Sequence, residues 1–116
     1  MLRARQEEAM PRARTIASAL LLFTGAAHLL YYFAGPGAAG GPGMAVFGGI
    51  YFALGLALRL PAAWPLWLSV LLPGVGGLGG SGMLRESFDP VLALFVAIDV
   101  AVVACCLWLI VARRRA

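Results

Sequence analysis

Residues 90–115 read PVLALFVAIDVAVVACCLWLIVARRR, an apolar run that contains a single carboxylate and closes on three arginines. A bilayer core about 30 Å thick requires roughly 20 mostly apolar residues in each spanning helix. The part from residue 90 to residue 112 meets this requirement, and Asp99 lies near its middle. The stretch therefore predicts a transmembrane helix with an ionisable residue inside the membrane.

The rest of the chain also has the composition of a membrane protein. Of its 116 residues, 62% are hydrophobic and only 12% are charged, too few to cover the surface of a soluble domain of this length. Three more segments are apolar and long enough to form spans, and they cover residues 15–34, 44–60 and 62–80. The sequence thus predicts an all-α fold, an integral membrane four-helix bundle.

The arginines predict how this bundle is oriented. They precede the first span, follow the last one and occupy the turn between the second and third, at Arg3, Arg5, Arg12, Arg14, Arg59, Arg113, Arg114 and Arg115. The loop at 35–43 has no charge, and in the loop at 81–89 Arg85 is balanced by acidic residues. Because cytoplasmic loops carry the excess of basic residues, we expect a multi-pass protein of the cell inner (cytoplasmic) membrane with both termini cytoplasmic.

One domain follows from this arrangement. A four-helix transmembrane domain covers residues 15–112, between a basic N-terminal segment, 1–14, and a basic tail, 113–116. The first apolar run is about 20 residues long, which favours retention as a helix over cleavage as a signal peptide. Trp64, Trp67 and Trp108 fall at the predicted cytoplasmic surface, where aromatic residues are enriched.

Two motifs favour structural interpretations. GVGGLG at 74–79 has the letters of a dinucleotide-binding fingerprint, but it lacks the preceding strand and following helix that place a pyrophosphate. We expect these glycines to end the third helix.

Cys105 and Cys106 are adjacent, so in a helix they point about 100° apart and cannot act as a Cys-x-x-Cys pair. We expect them to be small apolar filler, and no metal site or cofactor is predicted.

The second span carries a row of small residues at every fourth position. Such a row forms a shallow groove that lets another helix approach closely. Packing within the bundle is the expected use, and dimerisation through the same face is the alternative. The row consists of Ala45, Gly49, Ala53 and Ala57, with Gly48 and Gly55 beside it.

Polar side chains from three helices are predicted to share one layer of the membrane. At 1.5 Å per residue, His28 lies roughly 9 Å from the predicted outer surface, Tyr51 roughly 10 Å and Asp99 roughly 13 Å. Thr24 and Tyr31 lie on the same face of the first helix as His28, at i−4 and i+3. We therefore predict a ligand-binding set of Thr24, His28, Tyr31, Tyr51 and Asp99.

Intramembrane ionisable residues are costly to insert, so they generally face the bundle and serve a function. Three uses of the layer stay open: a purely structural hydrogen-bonded cluster, a ligand or substrate pocket, and ion or proton movement. A continuous transport path is disfavoured because only two helices carry one ionisable residue each near mid-membrane.

The leading hypothesis is a protein that binds a lipid-like or quinone-like molecule, or acts as an accessory subunit of a membrane complex. The alternative is an intramembrane enzyme, of isomerase or cyclase type, with His28 and Asp99 as catalytic acid and base on an apolar substrate. The expected partners are membrane lipids, an apolar small molecule, and a second copy or a larger membrane complex. Nucleic-acid binding is not expected, because the net charge of +4 arises from terminal arginines.

Four stretches resemble the DoxX-like family of small four-helix membrane proteins. They are LLLFTGAAHLL at 20–30, GGIYFALGLAL at 48–58, LLPGVGGLGGS at 71–81 and DPVLALFVAIDVAVV at 89–103. The resemblance implies a four-helix membrane fold and, for some members, association with quinone-linked or redox complexes. It also implies an Arg after the glycine cluster, where this chain has Gly80 and Ser81, and a Glu in the last helix, to which Asp99 would correspond.

Overall fold

The computed structural model describes residues 2–36 and 41–115. It contains four helices, α1 (Leu2–Ala34), α2 (Gly43–Ala57), α3 (Trp64–Glu86) and α4 (Pro90–Arg115). Helices α1, α3 and α4 are each long and apolar enough to cross a membrane, whereas α2 is a shorter apolar helix. The prediction of an all-α, integral membrane four-helix bundle is confirmed.

The bundle consists of two helix pairs, α1 with α2 and α3 with α4, which are joined mainly where α1 packs against α4. Its extents are 51 × 26 × 18 Å, so it is elongated along the helices. Leu21, Leu54, Leu66, Val102 and Leu109 are among the buried residues at its centre. Large apolar side chains also cover the outside, as a lipid environment permits, and Leu78 is 78% exposed.

Helix α1 is longer than the predicted span. It begins at Leu2 and continues through the basic segment, with Pro11 inside it. Arg3 Nε lies 3.8 Å from Glu7 Oε1 one turn later, a pairing that supports an exposed helix. Met10 and Ala13 pack against the core. The predicted boundary at residue 15 is thus a change of composition within one helix.

Helix α2 is shorter than its predicted span, 44–60. It comprises 15 residues and ends at Ala57, after which Leu60 N donates to Ala57 O in a tight turn at 2.9 Å. The loop at 35–43, which we expected to face outward, falls partly outside the described residues, at positions 37–40.

The expectation that the glycines at 74–79 end the third helix is wrong. Helix α3 begins at Trp64 rather than at residue 62, and it continues through Pro73 and all of these glycines to Glu86. A helix that ended at residue 80 inside a membrane would leave its last carbonyl groups without water to bind. Continuing the helix satisfies them, and Ser81 Oγ also donates to Gly77 O at 2.7 Å. The helix ends where Ser87 turns extended.

Glycines hold α1 close to α2, although not along the predicted row. A Cβ added to Gly25 would lie 2.6 Å from Phe52 N and 2.8 Å from Gly48 O, and one added to Gly55 would lie 2.8 Å from Leu22 Cγ. Gly49, from the predicted row, would have nothing within 4 Å of an added Cβ. The row thus lies beside the packed face, and Gly48 and Gly55 provide the close approach instead.

Candidate functional site

The centre of the candidate site is the contact between Tyr51 of α2 and Asp99 of α4. Tyr51 is 1% exposed and Asp99 is 4% exposed. The hydroxyl of Tyr51 donates a hydrogen bond to the Asp99 carboxylate. Both groups lie against the backbone of α3 at Gly76, where no side chain intervenes. Three helices therefore meet at one buried hydroxyl–carboxylate pair.

His28 lies beside this pair and is oriented by its own helix. Its Nδ1 is 2.6 Å from Thr24 O, and Thr24 Oγ1 is 3.3 Å from the same nitrogen. A carbonyl oxygen can only accept, so Nδ1 carries the ring's hydrogen and donates a hydrogen bond to Thr24 O. In the neutral ring, Nε2 is then the acceptor.

Two aromatic rings hold the imidazole of His28 in place. Phe95 of α4 stacks on it, with ring centroids 4.0 Å apart and an interplanar angle of 20°. The ring of Tyr51 meets its edge, at 5.4 Å and 85°. No hydrogen bond joins His28 to Asp99 within the part of the chain that the structure describes. Tyr51 contacts both residues, so the two ionisable groups are linked through it.

Tyr31 lies outside this layer. Its hydroxyl donates to Asp89 Oδ2 at 3.2 Å, and its ring meets the edge of Phe95 at 6.1 Å. The other oxygen of Asp89 accepts from Val91 N at 2.9 Å, which caps the start of α4. Of the predicted set, the structure brings Thr24, His28, Tyr51 and Asp99 together, while Tyr31 connects α1 to Asp89, the residue before α4.

Sequence reasoning missed Phe95 and Gly76. Phe95 lies four residues before Asp99, so helical spacing alone places it on the same face of α4. Gly76 lies in the glycine cluster, which we had interpreted as a helix end. No sequence signal distinguished Gly76, which faces Tyr51, from Gly79, whose added Cβ would have nothing within 4 Å.

The Asp99 carboxylate is only partly satisfied. Oδ2 lies next to Gly76, Gly77 and the Tyr51 hydroxyl. Oδ1 is buried and has no hydrogen-bond partner among the described residues. A buried polar atom without a partner costs about 1–3 kcal/mol, and more when it is charged. An external hydrogen-bond donor at this oxygen would remove that cost.

A cavity between α3 and α4 has Asp99 in its wall. Its volume is about 330 Å³. Asp99 and Ser81 are the polar side chains in its wall, and His28 does not line it. The other lining residues are apolar or glycine, namely Pro73, Gly74, Gly77, Leu78, Val100, Val103, Ala104 and Leu107. The cavity can therefore accept an apolar body that carries a small polar group.

The described residues contain no group of three or more His, Cys, Asp and Glu side chains that could hold a metal ion. Cys106 is buried and Cys105 is half-buried, and both are free thiols. Comparisons of the chain with models of protein families, with curated proteins and with solved structures found no match.

Proposed function

We propose that this protein binds a lipid-like or quinone-like molecule in the cavity between α3 and α4, with the Asp99 carboxylate as the polar contact. One observation carries the proposal. A buried carboxylate oxygen without a partner among the described residues belongs to a side chain that lines a mostly apolar cavity. Pockets for small molecules are mostly apolar, with a few polar groups that fix the ligand's orientation.

The chemistry of the carboxylate selects the ligand's polar group. An ionised Asp99 accepts a hydrogen bond from a lipid hydroxyl or a quinol hydroxyl, and a protonated Asp99 donates one to a quinone carbonyl. The volume of about 330 Å³ lies at the lower end of the range for ligand pockets, so it holds a head group or ring rather than a whole lipid. Leu78 and Val100 flank the cavity and are 78% and 61% exposed, so an apolar tail can extend into the surrounding lipid.

We also propose a cellular setting for the protein. The arginine distribution supports a multi-pass protein of the cytoplasmic membrane with both termini in the cytoplasm. The resemblance to DoxX-like proteins supports a role beside quinone-linked or redox complexes, as an accessory subunit that holds an apolar molecule. A second copy of the chain or a larger membrane complex would then be its protein partner.

Binding of added probes to the purified protein tests the binding proposal. The probes are a short-chain ubiquinone analogue and a monoacylglycerol, added to the detergent-solubilised protein and quantified by native mass spectrometry. Asp99→Leu removes the polar contact, and Ala104→Phe fills the cavity without touching the carboxylate. We expect either change to reduce retention of the bound probe at least tenfold.

Glu86→Gln is the matched control, because it removes an exposed carboxylate that does not line the cavity. It should retain the probe like the wild type. Failure of the wild-type protein to bind either probe contradicts the proposal, as does equal retention in the wild type, Asp99→Leu and Ala104→Phe.

An intramembrane enzyme is the second candidate, and the contact of Tyr51 with both His28 and Asp99 favours it. In such an enzyme Asp99 would exchange a proton with an apolar substrate in the cavity, and His28 would be the second acid–base group of the buried layer. His28 does not line that cavity, so Asp99 would be the group that meets the substrate. Asp99→Asn keeps the shape and removes the base, and turnover that survives this change would rule the catalytic role out.

A further inference from the structure

Arginines from three parts of the chain lie together at one end of the bundle, opposite the Tyr31–Asp89 contact. Arg14 of α1 donates through Nη2 to Ala62 O at 2.7 Å, and Arg113 of α4 donates through Nη1 to the same oxygen at 3.4 Å. Ala62 lies in the turn between α2 and α3, three residues after Arg59. The first helix, this turn and the last helix therefore meet here.

A cavity of about 420 Å³ opens at this junction. Its basic lining consists of Arg14, Arg59 and Arg113, and its acidic lining of Glu7. The rest of the wall includes Leu60 and Leu109, which are apolar. A basic end beside an apolar wall is complementary to an amphipathic anion.

The three arginines are not equally free to bind an anion. Arg14 is engaged, because it donates to three backbone carbonyl oxygens in the turn that follows α2. Arg113 makes one long hydrogen bond, and the Arg59 guanidinium makes none with the described residues. The Glu7 carboxylate is paired with Arg3. Two guanidinium groups at the cavity thus keep most of their donors available.

The depth of the cavity matches a membrane surface. Trp67, near the start of α3, is 44% exposed, and Arg114 of α4 lies 5.7 Å from the centroid of its ring. Trp64 and Trp108 are also exposed at this end of α3 and α4. Exposed tryptophans mark the level of the lipid head groups. The guanidinium groups therefore lie at the end of the bundle that carries the exposed tryptophans, where we expect lipid phosphates.

We propose that this cavity binds the phosphate group of an anionic phospholipid between Arg59 and Arg113, with the first methylene groups of the lipid against Leu60 and Leu109. The planar guanidinium fork suits a phosphate because two N–H groups can donate to two of its oxygens. Basic pockets between helices at a membrane surface are suited to such head groups. This site is separate from the Asp99 cavity and does not depend on the proposed function.

Native mass spectrometry with defined lipids tests the site. The purified protein is mixed with phosphatidylglycerol and phosphatidylcholine, and the ratio of the two bound lipids is measured. We expect Arg59→Gln combined with Arg113→Gln to lower that ratio roughly 30-fold, the equivalent of about 1 kcal/mol for one phosphate hydrogen bond lost at each arginine. The control combines Arg12→Gln with Arg115→Gln, which removes the same charge from the same end outside the cavity. It should lower the ratio less than about threefold, because these exposed arginines do not line the cavity and exposed charge pairs contribute little.

Three further measurements complete the test. Arg59→Gln alone, which breaks no described side-chain hydrogen bond, should lower the ratio about fivefold with unchanged helical circular dichroism. Glu7→Gln should raise the ratio, because a carboxylate in the wall repels the phosphate. Inorganic phosphate at 10 mM should leave bound phosphatidylglycerol in place.

An equal loss in both double variants would show attraction to the surface charge alone, and displacement by inorganic phosphate would show a free-phosphate site. Either result overturns the proposal.

Discussion

The hydroxyl of Tyr51 lies where a side chain at position 76 would begin. A Cβ built on Gly76 would overlap this oxygen and would also lie 3.3 Å from Asp99 Oδ2. Elsewhere α2 and α3 make little contact, so this approach is a principal connection between α2 and the α3–α4 pair. Glycine is required at position 76 because the tyrosine occupies the space of a side chain. The backbone conformation does not require it, since α3 is an ordinary helix at this point.

Gly76→Ala is therefore expected to destabilise the bundle even though alanine favours a helix. The added methyl must displace the Tyr51 hydroxyl from the Asp99 carboxylate, and such overpacking typically costs about 1–3 kcal/mol. The measurement is the free energy of unfolding in mixed micelles, titrated with sodium dodecyl sulfate and followed by circular dichroism. The same variant should also lose the ligand of the Asp99 cavity.

Gly79→Ala provides the comparison, because a Cβ at that position has open space around it. This variant should be as stable as the wild type or up to about 1 kcal/mol more stable, as is usual when a helix interior loses a glycine. Equal effects at positions 76 and 79 would show that the Tyr51 contact does not matter for stability.

The contact between α1 and α2 gives a second prediction. Gly25→Ala places a methyl group against the backbone of α2 at Gly48 and Phe52, which cannot move as a side chain could. We expect a loss of about 1–3 kcal/mol in the same unfolding titration. Gly49→Ala, on the unused face of α2, should cost nothing, and a loss at position 49 as large as at position 25 would contradict the observed packing face.

The order of the helices and the depth of the polar layer could be predicted from the sequence because both depend on counting along the chain. Apolar length gave four helices, and a rise of 1.5 Å per residue placed His28, Tyr51 and Asp99 in one layer. The structure brings these three residues together as that count implied, with Tyr51 in contact with both others.

The rotation of each helix about its axis could not be predicted in this way. The row from Ala45 to Ala57 and the neighbouring pair Gly48 and Gly55 are equally small, and only the fit to α1 selects the pair. For the same reason the sequence did not reveal that Tyr51 separates His28 from Asp99. The error at the glycines of α3 has another cause, since glycine ends helices in water but not where a membrane denies the carbonyl groups other partners.

A third prediction separates the two partners of the buried pair. Tyr51→Phe keeps the ring contacts with His28 and removes the hydrogen bond to Asp99. Hydrogen bonds within membrane proteins average about 0.6 kcal/mol, and leaving a buried carboxylate alone adds to that cost, so we expect a loss of about 1–3 kcal/mol. In the double variant Tyr51→Phe with Asp99→Leu most of this loss should be recovered, because neither polar group is then buried without a partner. Additive losses in that double-mutant cycle would show that the two side chains do not interact.

The fourth prediction concerns Arg14, whose guanidinium binds the carbonyl oxygens of Leu58, Leu60 and Ala62. These groups end α2 and its following turn, where the helix dipole is negative and a cation is favourable. A hydrogen bond from a charged group contributes about 1.5–3 kcal/mol, and the three bonds here are not additive because one guanidinium makes them all. Arg14→Gln should therefore lower the free energy of unfolding by about 2–3 kcal/mol. Arg12→Gln, two residues away and exposed, should change the free energy of unfolding by less than about 0.5 kcal/mol. A wild-type free energy of unfolding in both variants would show that the carbonyl groups at the end of α2 do not depend on Arg14 of α1.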